Sequence, residues 1–370
     1  MSTPEPKNGA RSARLRLYGA KALLPLALVS LLVACGNPGQ TRLAETDEKV
    51  DKVAHYSGND RQEFLEKGAR EEGKLTLFSS TGDPAITEMV TAFEKKYPFV
   101  DVSVPCCVNS PADVTTRAVA EFQSGRGDIG LVETFVSGVN ALRERGMLTT
   151  FATPNASLQI DGATDPDGYY VATRSNQRGL AVNTDRIPLA EAPKVWKDLL
   201  DPKWKGRISV AGGEAATRLV AYYQDTQGDG YLKKFAEQDP QLIEVTTRAL
   251  ADMLISGEVE MSPTITRAHV LKPISKGAPV AFIPIEPVDS ISTAIALPKD
   301  SPSPHAAMLL IDFTTSAEGQ QIYVDNGFDS LAPDLMKPQD RETELIFLDS
   351  KPAFLDRSDE LADLVATLFR

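Results

Sequence analysis

The segment KLTLFSSTGDPAITEMVTAFEKKYPFVDVSV, residues 74–104, decides the fold class. Its first five residues have the length and apolar content of a strand, and a turn containing serine and glycine follows them. Apolar residues then recur across 86–93 at the i, i+3, i+4, i+7 spacing of a buried helix face. Asp83 suits the N-cap of this helix and Pro84 its first position. The segment therefore predicts a strand, a helix and a second strand in succession.

The same alternation continues toward the C-terminus. Ser110 can cap the next helix, and a third strand at 128–132 precedes a helix that ends at Gly146. A further pattern of strands and helices runs from Gly179 to about residue 285. Such alternation predicts an α/β fold with a mostly parallel sheet covered on both faces. Ligands bind these sheets beyond the carboxyl ends of the strands, which here are the loops 79–82, 105–110 and 133–135.

The length of the chain and its net charge exclude several classes of protein. A chain of 370 residues predicts two compact units and can bury a large core without a disulfide scaffold. Its formal net charge of −12 opposes a surface that neutralises phosphates, so nucleic acid is not an expected partner. The three histidines are far apart in sequence, which disfavours a catalytic triad or a histidine-rich metal site.

Residues 1–34 have the pattern of a targeting segment, with a basic stretch before the apolar run 22–34. This run would reach roughly 20 Å as a helix, against a bilayer core of about 30 Å, so it does not predict a membrane span. Its end, LVAC at 32–35, resembles the lipobox of bacterial lipoproteins. The resemblance implies a lipid-modified Cys35 that anchors the mature chain to the membrane, followed by a tether at 35–58. An ordinary signal peptide beside a chance cysteine is the alternative.

Several segments together resemble the family 1 extracellular solute-binding proteins of bacterial ABC importers. They lie in order across about residues 74–330. They are FEKKYP at 93–98, GDIG at 127–130, RGML at 145–148, AVNTD at 181–185, PKVWKDLLDPKWKGR at 193–207, GEV at 257–259, KGAPV at 276–280 and SAEGQ at 316–320.

The resemblance implies a two-lobed type II periplasmic binding protein fold, each lobe a mixed sheet flanked by helices, with the ligand cleft between the lobes. Lobe one would comprise 59–179 and 286–370, lobe two would comprise 180–285, and hinge strands would lie near 175–182 and 280–290. The implied function is capture of a small polar solute outside the cytoplasmic membrane, by a monomer without cofactors, and delivery to an ABC permease. Two other classes stay open: an enzyme on this fold that uses Glu133 as a base, and a receptor that signals through a membrane partner.

Glu133 also raises a ferric-ion alternative. The resemblance implies that a glutamate after the third strand coordinates iron in one branch of the family, and Glu133 matches that position. The same branch supplies a tyrosine pair shortly after the GEV segment, where this chain has MSPTITR at 261–267. The ligand histidine of the branch is also missing from the loop 79–82. Iron is therefore the secondary hypothesis, and Tyr222 and Tyr223, elsewhere in the chain, are expected to be core residues.

Hydroxyls, helix starts and arginines instead favour an oxyanion. Serines and threonines precede one predicted helix, glycines open another, and arginines flank the crossing into lobe two. Because a lone Glu133 carboxylate would repel an anion, the sequence favours a zwitterion such as an aminophosphonate or an amino acid. The candidate ligand contacts are Ser79, Ser80, Thr81, Asn109, Glu133, Thr134, Arg174, Ser175, Arg178, Gly213, Glu214, Thr264 and Arg267.

Cys106 and Cys107 are adjacent, and with Cys35 lipid-modified they would remain in an oxidising compartment. They could close a vicinal disulfide that faces the cleft at the end of the second strand. The alternatives are two free thiols, or a ring that only stiffens its loop.

Overall fold

The computed structural model describes residues 47–369, except 109, 126, 161, 337–341, 352, 353, 355 and 356. The signal peptide and Cys35 therefore lie outside the described residues, as does Asn109. No helix of the part described is both long and apolar enough to cross a membrane.

Eleven strands are present in the described ranges. They are β1 (Lys74–Ser79), β2 (Asp101–Cys106), β3 (Leu131–Phe135), β4 (Leu148–Thr149), β5 (Tyr170–Asn183), β6 (Ser209–Ala211), β7 (Gln241–Ile243), β8 (Met261–Thr266), β9 (Val280–Ile283), β10 (Val288–Pro298) and β11 (Leu345–Ile346).

The helices alternate with these strands. They are α1 (47–54), α2 (Arg61–Glu72), α3 (Ala85–Lys96), α4 (Pro111–Ser124), α5 (Val136–Glu144), α6 (Glu214–Thr226), α7 (Asp229–Ala236), α8 (Thr247–Ser256), α9 (Arg267–Ser275), α10 (Pro304–Thr314), α11 (Ala317–Asp325) and α12 (Ser358–Leu368).

The main sheet has the order β2-β1-β3-β10-β5-β8. Strands β1, β2 and β3 are parallel, but β10 runs antiparallel to both β3 and β5. The predicted α/β class is confirmed, and the sheet is mixed, as the family resemblance implies, rather than mostly parallel, as the local alternation predicts. The cause is β10, which enters between β3 and β5 from a distant part of the chain, a pairing that local alternation does not encode.

Two large hydrophobic clusters lie along this sheet. The first joins α1, α2, α3 and α10 to β1, with Phe93 and Phe313 at its centre. The second surrounds α6 and α7, where Trp196, Tyr223 and Phe235 pack. Strands β5 and β10 are buried along their whole length, and β5 has residues in both clusters. The boundaries of the two lobes at 179/180 and 285/286 remain a prediction.

The N-terminal ends of two helices and one strand differ in detail from the sequence predictions. Helix α3 begins at Ala85, and Asp83 accepts a hydrogen bond from the Thr87 hydroxyl at 2.6 Å instead of capping the backbone. Ser110 does stand at the N-cap of α4, but its hydroxyl donates to Asp113 at 2.6 Å. The third strand begins at Leu131, so Glu133 lies inside it rather than after it. Polar residues can occupy this strand because their side chains find buried partners.

Both ends of the described chain are packed differently from the prediction. Val50, Val53 and Ala54 of α1 are buried in the first cluster, so the folded part begins before Asn59 and the tether cannot extend to residue 58. The segment 345–369 was assigned to lobe one. Its β11 pairs with β10, while Leu361 and Phe369 pack into the second cluster against α6. The apolar face of α12 is visible in the sequence, but not the surface that it covers.

Candidate functional site

The Glu133 carboxylate lies at the centre of a buried polar cluster. Its Oε1 accepts hydrogen bonds from Thr173 and Arg174 at 2.9 Å each and from Tyr323 at 2.8 Å. Its Oε2 accepts from Ser79 at 2.6 Å and Thr81 at 2.7 Å. Strands β1, β3 and β5 bring four of these residues together, and α11 contributes the tyrosine.

Glu133 is charged and paired in this cluster. Burial alone would raise its pKa, but Arg174 and the hydrogen bonds from Ser79, Thr81 and Tyr323 outweigh burial, so its pKa lies below the ordinary value. The Arg174 guanidinium also lies 4.6 Å from the centre of the Phe328 ring. The prediction of a zwitterion requires Glu133 to be a lone carboxylate. It is not one, because Arg174 neutralises it.

A second polar group surrounds Arg178 on β5. Arg178 is 6% exposed, and its Nη2 donates to the half-exposed Glu214 carboxylate at 3.3 Å. Its Nε and Nη1 find no hydrogen-bond partner among the residues that the structure describes. The buried Ser80 and Ser175 hydroxyls likewise find none within the described ranges. Buried donors without partners are rare in folded proteins, so Arg178, Ser80 and Ser175 are candidate ligand-binding residues.

The start of α6 adjoins this group through Glu214. Gly213 precedes the helix with φ 60°, a backbone conformation that glycine adopts without strain. A Cβ on Gly212 would come within 2.2 Å of the Glu244 carboxylate, so a larger residue there would require the Glu244 side chain to move. The first amides of a helix have no partner inside the helix, and they suit an anion.

Three candidate residues instead connect neighbouring elements. The Thr134 hydroxyl donates to the Pro111 carbonyl at 3.1 Å. Thr264 accepts the Ala211 amide at 3.0 Å and contacts Ser262. Arg267, at the start of α9, pairs with Asp329 at 3.3 Å. Their roles as ligand contacts stay predictions. Tyr222 and Tyr223 are buried in the second cluster, as expected for core residues.

One polar network was missed from the sequence. Arg218 on α6 is fully buried and donates to both carboxylate oxygens of Asp289 at 2.7 Å and also to Asp349. Burial raises the pKa of Asp349 to about 6, although Arg218 opposes the shift. The network joins α6, β10 and the C-terminal segment. The available signal was the position of Arg218 one turn after Glu214, directly before the apolar residues of α6.

The structure pairs the sulfur atoms of Cys106 and Cys107. Cys106 is buried with Phe78 and Val114, and the partly buried Cys107 packs against the same cluster. The orientation of the pair toward a ligand stays a prediction. Bridging of the two cysteines stays a prediction.

The mass of the intact protein tests this bridge. Because closing a disulfide removes two hydrogens, we expect reduction without denaturant to raise the mass by about 2 Da. Native alkylation of both thiols with no such shift would show that the bridge is absent.

No group of three or more histidine, cysteine, aspartate and glutamate side chains in the described part of the chain is arranged to hold a metal ion.

Comparisons with known proteins identify the family. The family described as bacterial extracellular solute-binding protein matches residues 134–351, more than half of the chain. The substrate-binding protein of an ABC transporter from Agrobacterium tumefaciens is similar in structure, with a TM-score of 0.68, 14% identity, and coverage of 80% of this chain and 94% of that chain.

Two further solved structures share the fold. AfuA from Actinobacillus pleuropneumoniae, with fructose-6-phosphate bound, has a TM-score of 0.67 and 21% identity, covering 80% of this chain and 98% of that chain. Iron-bound HitA from Pseudomonas aeruginosa has a TM-score of 0.62 and 19% identity, covering 80% and 99%. The predicted fold is confirmed by these similarities, and by its sequence the chain belongs to the bacterial extracellular solute-binding protein family.

Proposed function

We propose that this protein is the substrate-binding component of an ABC importer and that it carries a small anionic solute. The single observation that carries the choice of an anion is Arg178, a buried guanidinium whose Nε and Nη1 lack partners in the described chain. A buried charge without full hydrogen bonding is costly, and an anion accepting those two donors would remove the cost.

Two other groups suit an oxyanion. The Ser80 hydroxyl is buried without a partner in the described residues, and the first amides of α6 follow Gly213, next to Glu214, which pairs with Arg178. A phosphate or carboxylate can accept from an arginine fork, a hydroxyl and helix-start amides together. Since Glu133 is already neutralised by Arg174, the solute needs no amine, and we propose a simple anion in place of a zwitterion.

Two of the similar proteins bind different solutes, and both bear on this choice. AfuA was solved with a sugar phosphate, which supports a phosphate-bearing solute here. HitA was solved with iron, but iron binding through Glu133 would require the carboxylate to give up at least one of its five internal hydrogen bonds. Binding of iron is therefore the experimental result that would overturn the anion proposal. We propose no catalytic role for Glu133, because its carboxylate already accepts five hydrogen bonds inside the protein.

Delivery to the permease would follow from closure of the lobes. Arg178 lies on β5, which has residues in both hydrophobic clusters, and we propose that a solute bound there contacts both lobes. Binding would shift the population toward the closed form, which the permease would recognise.

A panel of solutes tests the proposal by the melting temperature of the purified protein. At 100 times the dissociation constant, a bound solute adds about 2.7 kcal/mol to the free energy of unfolding, a shift of several degrees. We expect such a shift from an anion among phosphate, glucose 6-phosphate and citrate, and none from spermidine or glucose. A response to ferric ion alone would overturn the anion assignment.

We also propose that Cys35 anchors the mature protein to the membrane by its lipid. More than one acyl chain is needed for stable anchoring, and a modified N-terminal cysteine would supply several. Cys35→Ala should move the protein from the membrane fraction to the soluble fraction, as seen by immunoblotting. An unmodified N-terminus at residue 36 or beyond in membrane-free wild-type protein would contradict the anchor.

A further inference from the structure

We infer that Glu133 is a resident anion: its carboxylate permanently fills an oxyanion cradle formed by Ser79, Thr81, Thr173, Arg174 and Tyr323. The cradle therefore offers the solute neither a metal ligand nor a free anion site. This deepens the proposed function, because it assigns recognition of the solute's charge to Arg178 instead. Its test, however, requires no knowledge of the solute.

The number of donors shows that the carboxylate is saturated. A carboxylate has about four lone-pair positions, and Glu133 accepts five hydrogen bonds of 2.6–2.9 Å. Glu133 is 1% exposed and Arg174 is 3% exposed. Nothing further can bind the carboxylate without breaking one of these contacts.

The composition of the cradle resembles a site built for a free anion. Three aliphatic hydroxyls, one phenol and one guanidinium come from β1 and the residues just after it, from β5 and from α11, and all of them donate to one carboxylate. Charge-assisted hydrogen bonds of this kind are among the strongest that a protein makes to a carboxylate or phosphate. In this chain the anion is covalently attached to β3.

Covalent attachment decides the competition with solutes. An anion tethered inside its own site has a high effective concentration, so millimolar free anions do not displace it. A metal cation would meet Arg174 beside the carboxylate and would have to separate a buried ion pair, which is strongly unfavourable. By occupying the cradle, Glu133 thus excludes free anions and metal cations from it.

Removal of the side chain tests this inference directly. Glu133→Ala deletes a methylene and a carboxylate, the same atoms that acetate can supply. We expect the variant to melt well below the wild type and acetate to raise its melting temperature by several degrees, saturably, relative to sodium chloride of equal ionic strength. Glu133→Gln, whose amide still fills the cradle, should show no such additional response.

Matched measurements separate the cradle from the solute site. Glu260→Ala removes a carboxylate from the partly exposed pair with Arg207, and it should respond to acetate no more than the wild type does. If Glu133→Ala does not remain folded, its refolding yield from urea is compared in acetate and in chloride, with a higher yield expected in acetate. Equal responses in the two salts would overturn the inference. So would a ferric-ion shift in the wild type that Glu133→Gln abolishes.

Discussion

Arg218→Ala is expected to lower the free energy of unfolding by about 3–5 kcal/mol, because it would leave buried carboxylates without their cation. Arg218 is fully buried, and its guanidinium is shared by Asp289 on β10 and Asp349 in the C-terminal segment. The same substitution would also leave a cavity under α6. Urea denaturation of the purified protein measures the change.

The matched control is Arg248→Ala, which removes a largely exposed arginine from its pair with Asp252. A surface ion pair of this kind is worth about 0–1 kcal/mol, so a small change is expected. A loss below about 1 kcal/mol for Arg218→Ala would show that the network does not hold the C-terminal segment in place.

The effect of Arg218→Ala should also depend on pH. Burial raises the pKa of Asp349 to about 6 even with Arg218 present, and removing the cation would raise this pKa further. A protonated Asp349 needs no counter-charge. The difference in stability between the variant and the wild type should therefore shrink as the pH falls from about 7 to about 5.

Arg178→Gln is the second large prediction, and its effect is on binding. Removing the charged partner of a buried anion typically costs about 2–5 kcal/mol, so the affinity for the anion that stabilises the wild type most should fall about 30-fold or more. Isothermal titration calorimetry measures this change. The glutamine variant should bind that anion far more weakly than a matched Arg207→Gln variant, in which the lost arginine is partly exposed.

The same variant separates binding from stability. Without solute, the Nε and Nη1 of Arg178 lack partners in the described part of the chain, and only the half-exposed Glu214 pairs with the side chain. We therefore expect little loss of unliganded stability on substitution, as is common where binding residues are held in unfavourable surroundings. A large drop in the melting temperature together with unchanged affinity would assign Arg178 to the core instead.

The sequence predicted those features that local patterns encode. Strand β1 follows from its apolar content and helix α3 from apolar periodicity, and the segments shared with the family predicted the two-lobed fold. Glu133 and Arg178 were both identified as candidates. In each case the chemistry of one segment was sufficient.

The features that were missed depend on contacts between distant segments. Tyr323 reaches Glu133 across 190 residues of chain, and Asp349 reaches Arg218 across 131. No spacing rule connects such residues, so Glu133 was treated as a lone carboxylate. The packing of α12 against α6 was missed for the same reason, since the apolar face of a helix does not show which surface it will pack against.

Mass spectrometry of the protein purified natively from its own cells would show whether it carries a small anion at Arg178. Released molecules would be identified in negative-ion mode, with metals measured in the same sample. We expect a phosphate- or carboxylate-bearing solute in a near-equal molar ratio to the wild-type protein, and we expect this solute to be absent from Arg178→Gln. Iron in equal ratio, or an uncharged solute retained by both proteins, would contradict it.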